Sequence, residues 1–577
     1  MLKILKLFNP NQKKIFFLLL GLIFISSILE MTNLAIIVPI INSFLEIETS
    51  SKETNFIWFT KFLNIEEFSL LAFLLFFLIF FIFKSIFSIF VSWKHHRFVI
   101  NFIKDLSFSL YSKYLSQQYS SYKAKNSSEL MRNILKEIDF FYLYLQSSIQ
   151  VLLESIILIG IISFLLYILF ETTIVIMTAS LLFGAIYYFA IKKKLNFWGM
   201  SRQSIEEGRI RYMQEGFNCI KEINFFNRND FFLNRFKNKN SEYYNIYFNF
   251  NFFSTLPRFV FEILTVVLIA IVFIYLVYTG KQSDEIIKVL AIFLAASLRI
   301  VPSTYRIVGG LQNLRYADHA LKVLYSDIKK LKTKKVFLGN NKISFKEKIS
   351  LKISHFSHNE GDKFELKNID IEIKKNQKIG IIGRSGSGKS TILDIISGIL
   401  SNSTTDLKVD NQKIDDEEKF VNWQSLIGLI PQNISVLNET FKKNILFGLN
   451  EKLIKDNEVL EIIKISNLTK LLSRLPNGIY QNINEKGSNL SGGEIQRIGI
   501  ARALIFNPEV LIFDEATSAL DTFTENEILK DINLLPNKTI IMISHRMNTL
   551  KHCDKIYLLD EGKVIDEGPY SKFKDKN

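Results

Sequence analysis

Residues 383–391, GRSGSGKST, have the types and spacing of a loop that holds phosphate groups. The apolar run KIGIIG leads into this loop and TILDIISGIL continues from it, so we predict a strand, a glycine-rich loop and a helix in that order. Glycines let backbone N–H groups point at phosphate oxygens, Lys389 supplies positive charge, and the Ser390 hydroxyl can bind Mg²⁺. The predicted nucleotide contacts here are Gly383, Ser385, Gly386, Ser387, Gly388, Lys389, Ser390 and Thr391.

A second motif, VLIFDEATSALD at residues 510–521, ends a predicted apolar strand in two adjacent carboxylates. Asp514 can hold the shell of a Mg²⁺ ion, and Glu515 can polarise an attacking water. Two acids after a strand can also be ordinary surface residues. Together with the phosphate-binding loop upstream, however, they favour Mg²⁺-dependent hydrolysis of ATP.

The chain that must position these motifs divides into two parts. Its 577 residues exceed one ordinary domain, and the apolar residues are concentrated before about Val323. From Ile343 onward, short β-rich runs alternate with helical ones, which is typical of an α/β domain. We predict a membrane α-helical domain of six transmembrane helices at 1–325, a linker at 326–342, and an α/β P-loop ATPase domain at 343–577.

Six apolar stretches are long enough to cross a bilayer, for which about 20 residues are needed. Lysines precede the first stretch, and the two long segments after the second and fourth stretches are basic, which predicts a cytoplasmic N-terminus and C-terminal half. Because no small-residue cleavage site follows the first apolar run, we interpret it as an uncleaved span. The stretches centre on Ile15–Ile41, Leu70–Val91, Val151–Phe170, Thr173–Ile191, Phe259–Tyr278 and Ile286–Val301.

The two long basic segments are too long for plain loops. We predict that the helices continue out of the membrane and fold back through short cross-pieces near Gln118–Tyr122 and Asn218–Phe225, which could press on a cytoplasmic partner. The outer segment Asn55–Phe68 is predicted either as a helix on the outer membrane face or as the buried start of the second span.

Charged residues within apolar spans are costly and usually functional. Four cations are the candidate substrate contacts: Lys84, Arg258, Arg299 and Arg306. Arg299 and Arg306 are seven residues apart and therefore share a helix face. These cations could face a central cavity and meet an anionic group such as pyrophosphate. Alternatively, Arg258 and Arg306 reach the cytoplasmic interface or pair with Glu262.

The distribution of charge and the positions of the two cysteines argue against a nucleic-acid site, a disulfide and a cysteine metal site. The net charge is +15, but the basic residues of the first half cluster between apolar spans, which is typical of membrane proteins, and no nucleic-acid partner is predicted. Cys219 and Cys553 are far apart in segments predicted to be cytoplasmic, so we expect neither a disulfide nor a metal site.

Three further motifs are PQN at 431–433, LSGGE at 490–494 and ISHR at 543–546. With the two motifs above, they occur in the order found in the nucleotide-binding domain of ABC transporters, which the chain resembles from about 343 to 570. The apolar half has the matching layout of an exporter. This resemblance implies ATP and Mg²⁺ as cofactors and, because one chain has one set of motifs, a homodimer.

The resemblance also implies the roles of individual residues. The catalytic residues would be Glu515, His545 and Gln432, and the Mg²⁺ ligands would be Ser390, Gln432 and Asp514. Ser491, Gly492 and Gly493 would contact the γ-phosphate of ATP held by the opposite subunit. His358 would contact adenine, and Asp521 would take part in communication between the two ATP sites. Glu485 would contact the long cytoplasmic segments.

The sequence departs from the family pattern at two positions. Glu494 stands where glutamine is usual, and His358 stands where a tyrosine normally stacks on adenine, so a smaller ring would face the base. Because Glu515 and the LSGG core are present, we expect both ATP sites of a homodimer to hydrolyse ATP.

Looser patterns in the membrane half, among them ILEMTNLAIIVPI and LRIVPSTYRI, resemble bacterial lipid-linked oligosaccharide flippases. The predicted function is therefore ATP-driven flipping of a lipid-linked pyrophosphate oligosaccharide across the bacterial inner membrane, among membrane lipids. The alternative is export of lipid A, peptides or hydrophobic drugs. A non-transporting ABC ATPase would lack the six spans, and an ATP-gated channel would show a large ATP-dependent conductance.

Overall fold

The structure is a computed structural model that describes residues 2–44, 70–117, 119, 122, 125–331, 343–357, 364–401, 404–484, 489–516, 522–533, 535–544 and 546–574. It forms two compact units, one comprising Met1–Gln117 and Lys125–Thr333 and the other built around Lys334–Asn577. Several predicted features lie outside the described residues: the outer segment 55–68, His358, Glu485, Asp521 and His545.

The described residues of the first unit form helices joined by short turns. Within the part of the chain that the structure describes, six helices are long and apolar enough to cross a membrane, which confirms the prediction of six membrane-spanning helices. At 1.5 Å per residue, a helix of 49 residues is more than twice as long as the ~30 Å apolar core of a bilayer is thick. The helices are α1 (Leu2–Leu5), α2 (Pro10–Phe44), α3 (Leu70–Leu115), α4 (Ser127–Arg132), α5 (Ile138–Ile168), α6 (Phe170–Asn218), α7 (Ile220–Phe225), α8 (Asn229–Tyr278) and α9 (Ser283–Lys330), with a π-helical turn at Asn133–Glu137.

Close packing joins the long helices. Gly199 of α6 lies against the backbone of α9, where a Cβ atom would be 2.4 Å from the Tyr316 carbonyl oxygen. The ring of Tyr316 stacks on that of Phe250 from α8, with centroids 3.8 Å apart. Near the same level, Glu137 and Arg202 form a fully buried ion pair of 2.9 Å. These contacts hold α6, α8, α9 and the π-helical turn together.

The described residues of the second unit form two sheets. The strands are β1 (Lys348–Phe356), β2 (Leu366–Lys374), β3 (Lys378–Gly383), β4 (Thr405–Val409), β5 (Gln412–Lys413), β6 (Ile427–Ile430), β7 (Val510–Asp514), β8 (Thr539–Ile543), β9 (Lys555–Asp560) and β10 (Lys563–Gly568). A six-stranded sheet has the order β10-β9-β3-β8-β7-β6, in which only β10 is antiparallel, and an antiparallel sheet has the order β2-β1-β4-β5.

Helices cover the six-stranded sheet. β7 and β8 consist mostly of apolar residues and are buried along almost their whole length, as expected of central parallel strands. The helices are α10 (Lys389–Ile396), α11 (Glu417–Gln424), α12 (Phe441–Leu446), α13 (Asp456–Ile465), α14 (Thr469–Arg474), α15 (Gly492–Leu504), α16 (Thr522–Asn533) and α17 (Tyr570–Phe573). The predicted fold class, six membrane helices followed by an α/β unit, is confirmed.

Candidate nucleotide site and intramembrane ion pairs

The phosphate-binding loop connects β3 to α10 and depends on glycine at two close approaches. A Cβ atom on Gly383 would lie 2.2 Å from the Leu559 carbonyl oxygen. Gly388 has φ of +101°, and its Cβ atom would lie 2.7 Å from the ring of Phe364. Other residues would be strained there. Glycine at these two positions therefore lets the loop adopt a backbone conformation in which its N–H groups can bind an anion.

Lys389 begins α10 and folds back over the loop. Its ammonium group donates to the carbonyl oxygens of Gly383 and Arg384, both at 2.9 Å. Burial lowers the pKa of this ammonium group, although Glu515 and Asp514 oppose the shift. Among the described residues, the buried Ser387 hydroxyl has no hydrogen-bond partner. A cation and an unsatisfied hydroxyl on one loop fit a phosphate ligand.

The predicted Mg²⁺ ligands Ser390 and Asp514 meet at the end of β7. The Ser390 hydroxyl donates to Oδ1 of Asp514 at 3.0 Å. Burial raises the pKa of the Asp514 carboxyl, and the nearby Glu515 acts in the same direction. A divalent cation would offset both effects, and a hydroxyl beside a carboxylate supplies the oxygen ligands that Mg²⁺ prefers. The donor set therefore fits the ion.

Glu515 and Gln432 form the second polar contact of the site. The Gln432 amide donates to Oε2 of Glu515 at 2.9 Å, and Glu515 has a left-handed backbone with φ of +51°. Gln432 follows β6 and Glu515 follows β7, and these strands are neighbours in the parallel sheet. Because parallel strands end at the same edge, residues 83 positions apart in sequence come into contact.

The LSGGE segment lies at the start of another helix, α15. Ser491 caps this helix: its hydroxyl accepts from the Glu494 N–H at 3.3 Å, and Glu494 accepts from the Ser491 N–H at 2.8 Å. Arg474 also contacts the Glu494 carboxylate. Sequence reasoning missed Arg474, because no motif marks the end of α14. Ser491 and Gly492 are exposed and Gly493 is partly buried, which leaves the tip of α15 accessible.

Three of the four predicted substrate cations belong to one intramembrane ion-pair network. Lys84 of α3 contacts Glu30 of α2 at 2.9 Å, and Glu30 contacts Arg299 of α9 at 3.1 Å. Glu154 of α5 lies 2.8 Å from Arg306 and 3.8 Å from Arg299. The network therefore connects four membrane helices through two carboxylates.

The fourth cation, Arg258, lies elsewhere and pairs with Glu262 on the same helix at 3.0 Å, with both side chains exposed. This contact corresponds to the alternative of local pairing. Glu154 was missed in the sequence, although its signal was present as a lone carboxylate in the third apolar stretch.

The fold and these sites define a membrane protein with an α/β unit of the P-loop type. The family model described as the ABC transporter transmembrane region matches residues 16–301, and the one described as ABC transporter matches residues 366–518. The chain therefore belongs to the ABC transporter family, as an exporter with fused transmembrane and ATP-binding domains. The predicted family is confirmed.

Relatives with assigned names match part of the chain. The ATP-dependent lipid A-core flippase of Francisella novicida is 37% identical over 214 residues, which are 37% of this chain and 36% of that protein. The corresponding flippase of Vibrio vulnificus is 32% identical over 233 residues, 40% of each chain. A Rickettsia prowazekii protein named for export ATP-binding/permease function is 38% identical over 206 residues, 36% of this chain and 35% of that protein. The chain thus aligns with well under half the length of these relatives.

Solved structures are also similar to this chain, and one example matches almost its whole length. The structure of a bacterial Atm1-family ABC exporter with ATP bound has a TM-score of 0.78 and covers 99% of this chain and 97% of its own. At 18% identity, this similarity shows the shared fold.

Proposed function

We propose that the protein is a homodimeric ATPase that exports an anionic lipid, with ATP binding closing the paired nucleotide domains and hydrolysis resetting them. The supporting observation is the contact between Gln432 and Glu515 beside the Ser390–Asp514 pair. This arrangement puts a carboxylate able to polarise water next to a site suited to Mg²⁺ and phosphate. Mg²⁺ bound there would neutralise phosphate charge during hydrolysis.

The residues of the site then have distinct tasks. Lys389 and the loop N–H groups would bind the phosphates, with Gly383, Gly386 and Gly388 allowing the approach. Gln432 would orient Glu515 through its 2.9 Å hydrogen bond, and Glu515 would polarise the attacking water. The catalytic role of His545, the adenine contact of His358 and the intersite role of Asp521 are proposed from the family resemblance.

The homodimer is proposed because the LSGGE segment is on a separate helix whose tip is accessible. Ser491 and Gly492 are exposed at the N-terminus of α15, where N–H groups and the helix dipole favour an anion. The family resemblance assigns that anion to ATP held by a second copy. Each ATP site would then contain residues of both copies.

For the cargo, we propose a lipid-linked oligosaccharide with a pyrophosphate headgroup, moved across the bacterial inner membrane. Arg299 and Arg306 support an anionic headgroup, because a guanidinium group can donate two parallel hydrogen bonds to the oxygens of one phosphate. A second candidate is a lipid A-core molecule, which the names of two relatives favour. Both cargoes are phosphorylated glycolipids, so the same cations could serve either. Peptides and hydrophobic drugs have no such match to these cations.

Reconstituted protein separates the two cargoes. Purified protein in liposomes should move a fluorescent lipid-pyrophosphate oligosaccharide to the opposite leaflet when Mg²⁺ and ATP are added, and move labelled lipid A more slowly. Glu515→Gln should bind ATP with unchanged affinity and lose at least roughly 100-fold in hydrolysis, because the water is no longer polarised. Equal ATP-dependent movement by this variant, or movement of lipid A alone, would contradict the proposal.

A further inference from the structure

Glu525 is a buried acid that lies outside the motifs of the sequence. It belongs to the first turn of α16, and its side chain is 4% exposed. Both of its carboxylate oxygens have partners in the segment that follows β8. Oε2 accepts from the Arg546 guanidinium at 3.0 Å, and Oε1 accepts from the Thr549 hydroxyl at 2.7 Å. The acid therefore joins α16 to residues 21 and 24 positions further along the chain.

The segment that Glu525 contacts is the one that carries His545. The two residues on either side of His545 in the sequence bond to each other. The Ser544 hydroxyl accepts from the Arg546 N–H at 3.0 Å and donates to the Arg546 carbonyl oxygen at 3.2 Å. Such a side-chain turn restricts the backbone between its two ends. Because Arg546 also pairs with Glu525, the acid anchors this turn to α16.

The same segment follows a strand that ends at the nucleotide site. β8 lies beside β7, with Ile543 opposite Asp514, and the Glu515 N–H donates to the Ile543 carbonyl oxygen at 3.3 Å. Because parallel strands end at the same edge of a sheet, the chain leaves β8 beside the carboxylates of the Mg²⁺ site. The anchor of this segment therefore controls which groups of it can reach the nucleotide.

We propose that Glu525 is a positioning residue of the ATP site, which holds the segment carrying His545 within reach of the γ-phosphate. The inference rests on the proposed function, in which His545 is a catalytic residue of ATP hydrolysis, and it names the acid that positions this histidine. Glu525 is enclosed between α16 and the segment, so it acts through His545 and not on ATP itself.

A buried carboxylate suits this task because Arg546 lies at the surface. The Arg546 side chain is 48% exposed, and a long side chain in water has many rotamers. A fixed, enclosed carboxylate selects one of them through a charge-assisted hydrogen bond. The buried Thr549 hydroxyl adds a second fixed point. Two bonds from one acid to one segment define the orientation of the segment as well as its distance from α16.

The γ-phosphate makes this role measurable, because ADP lacks it. The full-length protein carrying Glu515→Gln, which blocks hydrolysis, is purified in detergent, and its affinities for radiolabelled ATP and ADP are measured with Mg²⁺ present. Adding Glu525→Gln should lower the ratio of ATP affinity to ADP affinity roughly fivefold, because the contact with the γ-phosphate is weakened. The affinity for ADP should stay unchanged.

A second substitution shows through which residue Glu525 acts. In the same Glu515→Gln background, His545→Ala should lower the affinity ratio roughly tenfold, because a hydrogen bond to a charged phosphate is lost. Glu525→Gln combined with His545→Ala should cause no further loss. A residue that only positions the His545 side chain has no effect once that side chain is absent.

Two more variants guard against an effect of misfolding. Thr549→Val removes one of the two bonds and keeps the ion pair, so the affinity ratio should fall roughly twofold. Glu527→Gln is the matched control on α16, since Glu527 is exposed and accepts from the Asn467 amide at 2.8 Å. It should leave both affinities unchanged. Glu525→Gln itself should fold, because the half-exposed Arg546 remains hydrated without its partner.

The inference is overturned if folded Glu525→Gln protein keeps the affinity ratio of its parent, or if it lowers the ratio further in the His545→Ala background. Equal losses of ATP and ADP affinity would show a purely structural role and also reject it. A ratio that falls in His545→Ala and not in Glu525→Gln would reject the inference and leave the proposed function standing. A wild type that neither hydrolyses ATP nor moves lipid, with both substitutions acting on the ratio as expected, would reject the proposed function and support the role of Glu525.

Discussion

Glu494 is the position at which this chain differs from the usual LSGGQ sequence, and its surroundings accommodate the added charge. Burial would raise the pKa of the Glu494 carboxyl, but hydrogen bonds from Ser491 and the charge of Arg474 outweigh it and hold the pKa below its ordinary value. The side chain still completes the capping box that a glutamine would form. Arg474 therefore compensates for the exchange of glutamine for glutamate.

Replacing Arg474 by a neutral residue should raise the KM for ATP, and a second substitution at Glu494 should reverse this increase. In Arg474→Gln, the uncompensated carboxylate at the tip of α15 would repel the phosphates of ATP. We expect the KM for ATP to rise roughly two- to fivefold with kcat nearly unchanged, since Arg474 is largely exposed and its charge is screened. Steady-state ATPase kinetics measure both constants.

The double variant Arg474→Gln/Glu494→Gln provides the decisive comparison. It removes the carboxylate that Arg474 compensates, so its KM should return to that of Glu494→Gln alone. A KM that stays high in the double variant would mean that Arg474 acts through something other than this charge.

The short elements of the nucleotide unit explain which parts of the site could be predicted. Lys389 and Ser390 belong to one motif and Asp514 to another, so local sequence is enough to single out each residue. The contact between Ser390 and Asp514 joins positions 124 apart and depends on β3 and β7 ending at the same edge of the parallel sheet. Their roles in ATP binding and hydrolysis remain proposals. Contacts such as Arg474–Glu494 and Arg306–Glu154 join separate helices, and no local pattern encodes the packing that creates them.

Among the long helices, a fully buried ion pair lies outside the predicted apolar stretches. Glu137 in the π-helical turn accepts from both terminal nitrogens of Arg202, at 3.3 Å and 2.9 Å, and both side chains are fully buried. The Arg202 guanidinium also lies 3.5 Å from the ring centre of Phe140. Because the Arg202 side chain is fully buried, water cannot take the place of the Glu137 carboxylate as its partner.

Removing the carboxylate should therefore destabilise the helical unit. For Glu137→Gln we expect a loss of about 3–5 kcal/mol, because the charge of Arg202 is left buried without a counter-charge. The melting temperature of the detergent-purified protein reports this loss. The control is Glu215→Gln, whose partner Arg235 is partly exposed, so the loss there should stay below about 1 kcal/mol. Equal melting temperatures for the two variants would contradict the assigned importance of burial.

At the scale of the whole molecule, the sequence has one set of membrane helices fused to one nucleotide unit. It therefore has one phosphate-binding loop and one LSGGE segment. If each ATP site takes its loop from one copy and its LSGGE segment from another, two differently damaged copies can complement each other. Lys389→Ala damages the loop, and Ser491→Ala removes the cap of α15, so each homodimer would contain two defective sites.

Co-expression of these two variants with different affinity tags tests the shared site. In a mixed dimer, one site combines both damaged parts and the other combines two intact parts. With random pairing, half of the dimers are mixed, so roughly a quarter of all sites are intact. We expect tandem-purified mixed dimers to recover ATPase activity that neither homodimer has, and Glu515→Gln introduced into the Ser491→Ala copy should abolish this recovery, because that copy supplies the loop and carboxylate of the intact site. Mixed dimers as inactive as the homodimers would mean that each chain completes its own ATP site.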